Sequence, residues 1–201
     1  MCLRHDLWII CDEVYADLTF GTPFASPFDR PQLRDRTLAT SSISKSHALP
    51  GFRTGWIACA PEATHRVTSV SESMLFGSQP FLADALAVAL SEQHPEVLRQ
   101  RDTFRQRAEA LVSAFSGSTS ATARMPEGGM FVMVDVRATG TSGEDFAWRL
   151  LDEEAVVVMP GESFGPGGAG HIRLALTVDA EVMAEASRRI RLLAEACVAA
   201  G

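Results

Sequence analysis

Basic residues are in the minority in this 201-residue chain. The sequence has 18 lysines and arginines against 25 aspartates and glutamates, a formal net charge of -7 at pH 7. The basic residues form no block along the chain. A protein that binds nucleic acid needs clustered positive charge to neutralise the phosphate backbone. We therefore expect no nucleic-acid partner.

Cysteines are few, and their spacing argues against a metal site. The four cysteines are Cys2, Cys11, Cys59 and Cys197. They show neither the CxxC spacing nor the neighbouring histidines of a zinc site. Three of them lie within apolar stretches, as reduced core cysteines do. We expect no bound metal, reduced thiols and a cytoplasmic location.

Long apolar runs are missing as well. A membrane-spanning helix needs about 20 consecutive apolar residues, and no run in this sequence is that long. The N-terminal residues, MCLRHD, lack the basic-then-apolar order of a signal peptide. We expect a protein that is neither embedded in a membrane nor secreted, although its 46% hydrophobic content is enough for a folded core.

Apolar residues in the first half of the chain are concentrated in short runs. Three runs are too continuous for half-exposed strands and too short for helices: 7–15 (LWIICDEVY), 37–43 (TLATSSI) and 55–60 (GWIACA). They predict strands of a mostly parallel sheet that is covered on both faces. The pattern then becomes helical, which predicts helices over 62–75, 80–92 and 96–115.

The second half of the chain has a different order of predicted strands and helices. The segment SGSTSAT (116–122) marks the end of the long helix. After it come predicted strands at 129–136, 155–159 and 171–177 and predicted helices at 143–154 and 179–198. This order predicts an α/β protein with three parts: 1–95, part of a large domain; 96–115, a connecting helix; and 116–201, a small α+β domain.

The first predicted strand begins very close to the start of the chain. A strand covered on both faces needs neighbours at both edges, and three strands make a small sheet for a large domain. The alternatives are a small three-layer domain, or a chain that lacks an N-terminal portion supplying further strands. We favour the second.

The segment SSISKSHALPGFRTGW (41–56) concentrates residues that can do chemistry. Lys45 follows a predicted buried strand and precedes a Pro-Gly turn, where a backbone approaches a ligand closely. A lysine in that setting loses its proton more easily than a surface lysine, and the neutral amine attacks aldehydes. The hydroxyls of Ser42 and Ser44 and the guanidinium of Arg53 together suit a phosphate. The alternative is an ordinary loop with a solvated lysine.

A carboxylate stands at the end of the first predicted strand. Asp12 occurs in CDEVY, and a carboxylate there is costly unless a cation, such as a pyridinium nitrogen, meets it. A ring nitrogen that is held protonated makes a cofactor an electron sink for a substrate carbanion. Tyr15, three residues on, suits the phenolic oxygen of the same ring. The alternative role for Asp12 is that of a turn or cap residue.

Together these segments resemble the class I/II aminotransferases of the aspartate-aminotransferase fold type. The resemblance rests on CDEVYADLTF, SSISKSHALPGFRTGW, PEGGMFVMVDV and HIRLALTVD in this order and covers essentially the whole chain. It implies a pyridoxal 5′-phosphate (PLP) enzyme, with residues 1–95 belonging to the PLP-binding large domain. Members of this family carry further cofactor contacts ahead of the DEVY strand, so the chain corresponds to their C-terminal half.

The resemblance also implies a role for each candidate residue. The catalytic residue is Lys45, which carries the cofactor as a Schiff base. The substrate α-carboxylate is assigned to Arg173, whose guanidinium fork grips a carboxylate through two hydrogen bonds. The cofactor contacts are Asp12 at the pyridine nitrogen, Tyr15 at the phenolic oxygen, and Ser42, Ser44 and Arg53 at the phosphate.

The implied reaction is transamination between an amino acid and a 2-oxo acid, by a protein that is a homodimer when complete. Other functions remain open on the same fold. One is a carbon–sulfur β-lyase, and another is the aminotransferase-like effector domain of a transcription regulator, which needs a DNA-binding domain upstream. A non-catalytic remnant is the third.

Two further features compete with this interpretation. Residues 165–170 (GPGGAG) match GxGxxG, but a dinucleotide site needs these glycines after a strand and at the start of a helix. Here they lead into the strand-like HIRLALTV, so we expect a flexible turn. His47 lies near Lys45 and is a possible base. A lysine released from its Schiff base is the better proton carrier, so we expect His47 to support the site indirectly.

Overall fold

The computed structural model describes residues 1–92 and 94–200. The chain divides into two compact units, Met1–Arg101 and Asp102–Gly201. Each unit has its own sheet, three-stranded in the first and four-stranded in the second. Both units combine a sheet with helices, which confirms the α/β class predicted from the sequence.

Three strands form the sheet of the first unit: β1 (Ile9–Asp12), β2 (Thr37–Ser42) and β3 (Gly55–Ala58). β1 and β2 are parallel, with Ile9 opposite Thr37. β2 and β3 are antiparallel, with Ser42 opposite Gly55. The three apolar runs therefore do form strands, each shorter than its run. The described part of the sheet is mixed, with one parallel and one antiparallel pair.

One face of this sheet is open. Ile10 lies opposite Leu38 on β2. Ile57 lies opposite Thr40, two residues further along β2, so Ile10 and Ile57 point to the same face. Ile10 is 78% exposed and Ile57 is 47% exposed, whereas Ala39 on the other face is buried. The prediction of coverage on both faces is wrong for the described residues, because an apolar run shows which faces are apolar and not what lies over them.

Helices make up most of the remainder of the first unit. They are α1 (Pro31–Arg34), α2 (Ile43–Ser46), α3 (Pro61–Leu75), α4 (Pro80–Ser91) and α5 (Pro95–Ala114), of which α5 continues into the second unit. Four of the five begin with proline, whose fixed φ suits the first helical turn. The helices predicted over 62–75, 80–92 and 96–115 are confirmed to within one residue at each end. α1 and α2 are too short to show a periodicity in the sequence.

The second unit has an antiparallel sheet and two long helices. Its strands are β4 (Thr122–Ala123), β5 (Phe131–Asp135), β6 (Met159–Pro160) and β7 (His171–Ala175), in the order β4-β5-β7-β6. Its helices are α6 (Gly143–Glu154) and α7 (Ala180–Ala200). The helices predicted over 143–154 and 179–198 are confirmed, as are the central residues of the strands predicted over 129–136 and 171–177.

The core of the second unit follows from two sequence periods. Alternate strand residues are fully buried, among them Val132 and Val134 on β5 and Ile172 on β7, as expected when one face of a sheet packs on a core. Residues of α7 spaced three or four apart are buried: Met183, Ser187, Ile190, Ala194 and Cys197. Each fully buried aliphatic side chain stabilises the unit by about 1.5–3 kcal/mol.

The strand predicted over 155–159 is wrong over most of its length. Ala155 ends α6 in the left-handed conformation, with φ 53°, and pairing with β7 begins only at Met159. The intervening residues border a cleft of about 540 Å³ beside α7, and Val157 is 80% exposed. The end of α6 sets the path of the chain here, and apolar composition does not encode that path.

Candidate active site

Most of the predicted site residues lie at one end of the first-unit sheet. Because β1 and β2 are parallel, their last residues, Asp12 and Ser42, lie at the same end. β3 begins opposite Ser42 at Gly55, which brings the loop that contains Arg53 to this end too. The carboxyl ends of parallel strands are where α/β sheets commonly bind ligands.

Lys45 lies in a single helical turn that begins where β2 ends. Ser42 is both the last residue of β2 and the N-cap of α2, and its Oγ accepts a hydrogen bond of 3.3 Å from the backbone N–H of Ser44. Ile43 is fully buried and fixes the turn, while Lys45 is half-buried. Within residues 1–92 and 94–200, the amine of Lys45 makes no hydrogen bond or ion pair. It is therefore available to a ligand.

The loop that contains Arg53 approaches the end of β2 closely. Arg53 has a left-handed φ of 49°, and its Nη1 donates a hydrogen bond of 2.9 Å to the carbonyl of Pro50. A Cβ on Gly55 would lie 2.4 Å from the carbonyl oxygen of Ser41, so any larger residue would push β3 away from β2. Apart from the bond to Pro50, the guanidinium has no partner in the described part of the chain.

The two acidic residues at the end of β1, Asp12 and Glu13, differ in their partners. Glu13 accepts a hydrogen bond of 2.5 Å from the hydroxyl of Ser26. Asp12 is exposed and accepts one of 3.1 Å from the backbone N–H of Val14, which closes a local turn. The turn role considered for Asp12 is therefore present, and its charge meets no cation among the described residues. Tyr15 follows, half-buried, at the start of a 3-10 turn.

Arg173 belongs to the second unit, on β7. Its guanidinium carbon is 4.0 Å from the centroid of the Phe131 ring and 4.0 Å from that of Phe164, so the cation packs against two aromatic rings. Its Nε is buried and has no hydrogen-bond partner in the described ranges. The guanidinium makes no hydrogen bond or ion pair within the described ranges, and its fork suits a carboxylate, which accepts two parallel hydrogen bonds.

Comparison with known proteins assigns the chain to a family. The model of the family described as aminotransferase class I and II matches residues 1–190. The chain belongs to the class I and II aminotransferases. The resemblance inferred from the DEVY, lysine and arginine motifs is confirmed.

Relatives of this aminotransferase chain include enzymes with several different names. It is 44% identical over 194 residues to the arginine–pyruvate transaminase AruH of Pseudomonas aeruginosa, an alignment that covers 96% of this chain and 49% of that protein. It is 30% identical over 195 residues to an LL-diaminopimelate aminotransferase of Nitratidesulfovibrio vulgaris, covering 96% and 50%. The chain thus spans about half the length of the curated relatives it matches.

Solved structures show the same fold. An aromatic aminotransferase from Pyrococcus horikoshii superposes with a TM-score of 0.91 at 24% identity, covering 97% of this chain and 52% of that one. YbdL from Escherichia coli, described as having a methionine aminotransferase function, superposes with a TM-score of 0.84 at 27% identity, covering 94% and 50%.

The glycine-rich segment 165–170 of the aminotransferase chain leads into β7 and opens no long helix. Its geometry therefore differs from a dinucleotide site. A Cβ on Gly168 would lie 2.1 Å from the carbonyl oxygen of Gly161, so the glycine permits two backbones to approach. The N–H of Gly170 donates to Glu162 Oε1 at 2.9 Å, and this bond contributes most to lowering the pKa of Glu162 below its ordinary value.

The described ranges contain neither a metal-binding cluster nor a membrane-spanning helix. No group of three or more His, Cys, Asp or Glu side chains there is placed to hold a metal ion, and all four cysteines are free. No helix in those ranges is long and apolar enough to cross a bilayer.

The sequence motifs do not identify Phe131 and Phe164 as the aromatic neighbours of Arg173. Phe131 lies two residues before Met133, which pairs with Arg173 across the sheet, so the strand register makes it a diagonal neighbour. Phe164 reaches the guanidinium from a 3-10 turn after β6, and no spacing in the sequence indicates this approach.

Proposed function

We propose that this chain is the lysine-bearing part of a PLP-dependent aminotransferase, and that the complete protein transfers an amino group between an amino acid and a 2-oxo acid. The observation that carries the proposal is that Lys45 is the sole lysine of the sequence. The other 17 of the 18 lysine and arginine side chains are arginines, which stay protonated in proteins. If the chain holds an aldehyde cofactor through a side-chain amine, Lys45 is the residue that does so.

The residues around Lys45 suit PLP. Lys45 would hold the aldehyde carbon as a Schiff base. The other contacts would come from Ser42, Ser44 and Arg53 at the phosphate, Asp12 at the ring nitrogen and Tyr15 at the phenolic oxygen. Two observations support this assignment: the charge of Asp12 meets no cation among the described residues, and the Arg53 guanidinium has no partner there except the carbonyl of Pro50. PLP, when bound, supplies an electron sink that stabilises negative charge at the substrate α-carbon.

Two side chains would then act on the substrate. Arg173 would bind the α-carboxylate through both terminal nitrogens, and the rings of Phe131 and Phe164 would keep its plane fixed. A fixed carboxylate orients the α-C–H bond. The Lys45 amine would be free once an amino acid has taken its place at the aldehyde carbon of the cofactor. It would then carry the proton from the substrate α-carbon to that cofactor carbon.

The complete protein would be a homodimer that uses an amino acid donor and a 2-oxo acid acceptor. L-arginine and pyruvate are the first pair to test, because the relative at 44% identity is named an arginine–pyruvate transaminase. Formation of alanine from pyruvate, measured with the complete PLP-loaded protein, is the expected outcome. Pyruvate and ammonia released from a cysteine S-conjugate, without transamination of any donor, would identify a β-lyase instead.

Covalent labelling tests the cofactor assignment directly. The chain is incubated with millimolar PLP, reduced with borohydride and digested, and the modified peptides are mapped by mass spectrometry. We expect the pyridoxyl group on Lys45, and none on this peptide in a Lys45→Arg control. Since the chain has one lysine, the competing site is the N-terminal amine of Met1. Labelling confined to Met1 would contradict the assignment.

A further inference from the structure

His47, immediately after α2, connects the Lys45 turn to a neighbouring helix. Its Nδ1 lies 2.8 Å from Ser46 Oγ and its Nε2 lies 3.0 Å from the carbonyl oxygen of Ala89 on α4. A carbonyl only accepts hydrogen bonds, so Nε2 carries the proton, and Nδ1 accepts from the hydroxyl of Ser46. The buried Ser46 and the ring of His94, 5.9 Å away edge to face, leave the imidazole little freedom to rotate.

Gln100 holds the same turn from another side. Its Nε2 donates a hydrogen bond of 2.9 Å to the carbonyl of Lys45 itself. The bonds within the turn are weaker: the N–H of His47 lies 3.2 Å from the carbonyl of Ile43, and that of Ala48 lies 3.4 Å from the carbonyl of Lys45. A helix of one turn is unstable by itself. Contacts with α4 and α5 therefore decide whether the turn is fixed.

We propose that His47 and Gln100 are positioning residues that fix the backbone of Lys45 and thereby the reach of its amine. The inference rests on the proposed function for the identity of the molecule that Lys45 attacks. The part of the inference that concerns the position of the turn is independent of the proposed function. Neither residue touches the reacting atoms. Each acts through a hydrogen bond to a backbone carbonyl, His47 at Ala89 and Gln100 at Lys45.

The single lysine makes this inference measurable in the 201-residue chain. Reductive methylation with formaldehyde and cyanoborohydride modifies amines, and mass spectrometry separates the peptide of Lys45 from that of Met1, which serves as the internal reference. Hydrogen exchange of the 43–48 peptide reports the backbone of the turn in the same samples. Fixation of PLP at Lys45 by borohydride is the third measurement.

Paired substitutions of His47 separate positioning from bulk stability. In His47→Gln the side-chain amide nitrogen reaches the place of Nε2 and can still donate a hydrogen bond to the carbonyl of Ala89. In His47→Asn the side chain is too short to reach it. We expect His47→Asn to speed exchange of the 43–48 peptide about fivefold, the effect of one lost hydrogen bond. It should also change the methylation rate of Lys45 relative to Met1. His47→Gln should stay near the wild type, and Gln100→Ala should match His47→Asn.

The outcomes are distinct. If His47→Asn and Gln100→Ala leave both exchange and relative methylation at wild-type values, or if Gln and Asn at position 47 behave alike, the positioning role is wrong. If the wild type fixes no PLP at Lys45, the cofactor proposal fails. The hydrogen exchange of the 43–48 peptide and the relative methylation of Lys45 then still decide whether His47 and Gln100 have the positioning role. If PLP fixation at Lys45 falls in His47→Asn and returns in His47→Gln, both proposals are supported.

Discussion

The guanidinium of Arg173 carries a positive charge, and the packing around it fixes its position. The rings of Phe131 and Phe164 pack against the guanidinium, and its buried Nε lacks a partner in the described ranges. The position of the guanidinium is thus set by packing and not by an ion pair. An anion that arrives does not have to displace a partner on the described residues, which favours binding of a planar carboxylate.

Arg173→Lys should weaken the binding of amino acids and 2-oxo acids alike, by about tenfold to a hundredfold, because a point charge cannot reproduce two parallel hydrogen bonds. The affinity for PLP should be nearly unchanged. Spectral titrations of the complete protein measure both constants, with Arg137→Lys, an exposed arginine of the same unit, as the control. An equal loss of PLP binding would place Arg173 at the phosphate.

Arg53 has an unfavourable backbone conformation at a position where its side chain is proposed to bind the phosphate. Its φ of 49° is unfavourable for a residue with a Cβ by about 1 kcal/mol or more, yet its guanidinium is the proposed phosphate ligand. Arg53→Gly should therefore be about 1 kcal/mol more stable to unfolding than Arg53→Ala. Both should lose PLP affinity to the same degree. Urea unfolding and PLP titration of the two variants provide the comparison, and wild-type PLP affinity in Arg53→Gly would remove Arg53 from the site.

At the scale of elements, Glu162 joins the start of α6 to the start of β7. Its Oε1 accepts 2.8 Å from the N–H of Gly143 and 2.9 Å from that of Gly170. These backbone donors hold the pKa of Glu162 below the usual 4.5, Gly170 contributing most. Ionised Glu162 therefore stabilises the fold at pH values above 4.5, and this contribution is lost as pH falls through the lowered pKa.

Glu162→Gln should unfold more easily at neutral pH, by about 1 kcal/mol, because a neutral acceptor forms weaker bonds. It should also lose less stability than the wild type between pH 5 and pH 2, since no carboxylate titrates at that position. Denaturant unfolding at several pH values measures this, with Glu144→Gln on the exposed surface of α6 as the control. Parallel pH curves for wild type and Glu162→Gln would contradict it.

Elements differ in how far the sequence predicts them. α3 to α7 carry several turns of periodic apolar residues, and the predicted bounds are close to those observed. α2 is one turn long, and its place depends on the buried Ile43 and on bonds from α4 and α5. The run over 155–159 is apolar enough for a strand, but the left-handed Ala155 directs most of it away from β7.

At the scale of the molecule, the open face of the first-unit sheet is the dominant feature. An apolar face with unpaired strand edges promotes association. We expect the 201-residue chain by itself to self-associate or to be poorly soluble. Ile10→Glu should reduce association measured by sedimentation, whereas Val157→Glu, at a site of similar exposure in the second unit, should not. Equal effects of the two substitutions would show that added charge alone is responsible.

The same chain should bind PLP far more weakly than a complete family member and show no useful transaminase activity. It spans about half the length of the relatives it matches, and the resemblance places further cofactor contacts in the other half. Visible spectra with added PLP, recorded with sedimentation and activity measurements, test this expectation. A monodisperse, yellow, active 201-residue protein would refute it.

The sequence by itself determined the family, the order of the longer helices and of most strands, and the short list of residues capable of the chemistry, because these depend on local periodicity and on motif spacing. Lys45, as the one lysine, is identifiable without coordinates. Only the tertiary structure showed that Ser42 caps the turn of Lys45, that His47 and Gln100 hydrogen-bond to the carbonyls of Ala89 and Lys45, and that two phenyl rings contact Arg173. Apart from the cap, those contacts join residues far apart in the chain, and strand register and helix ends bring them together.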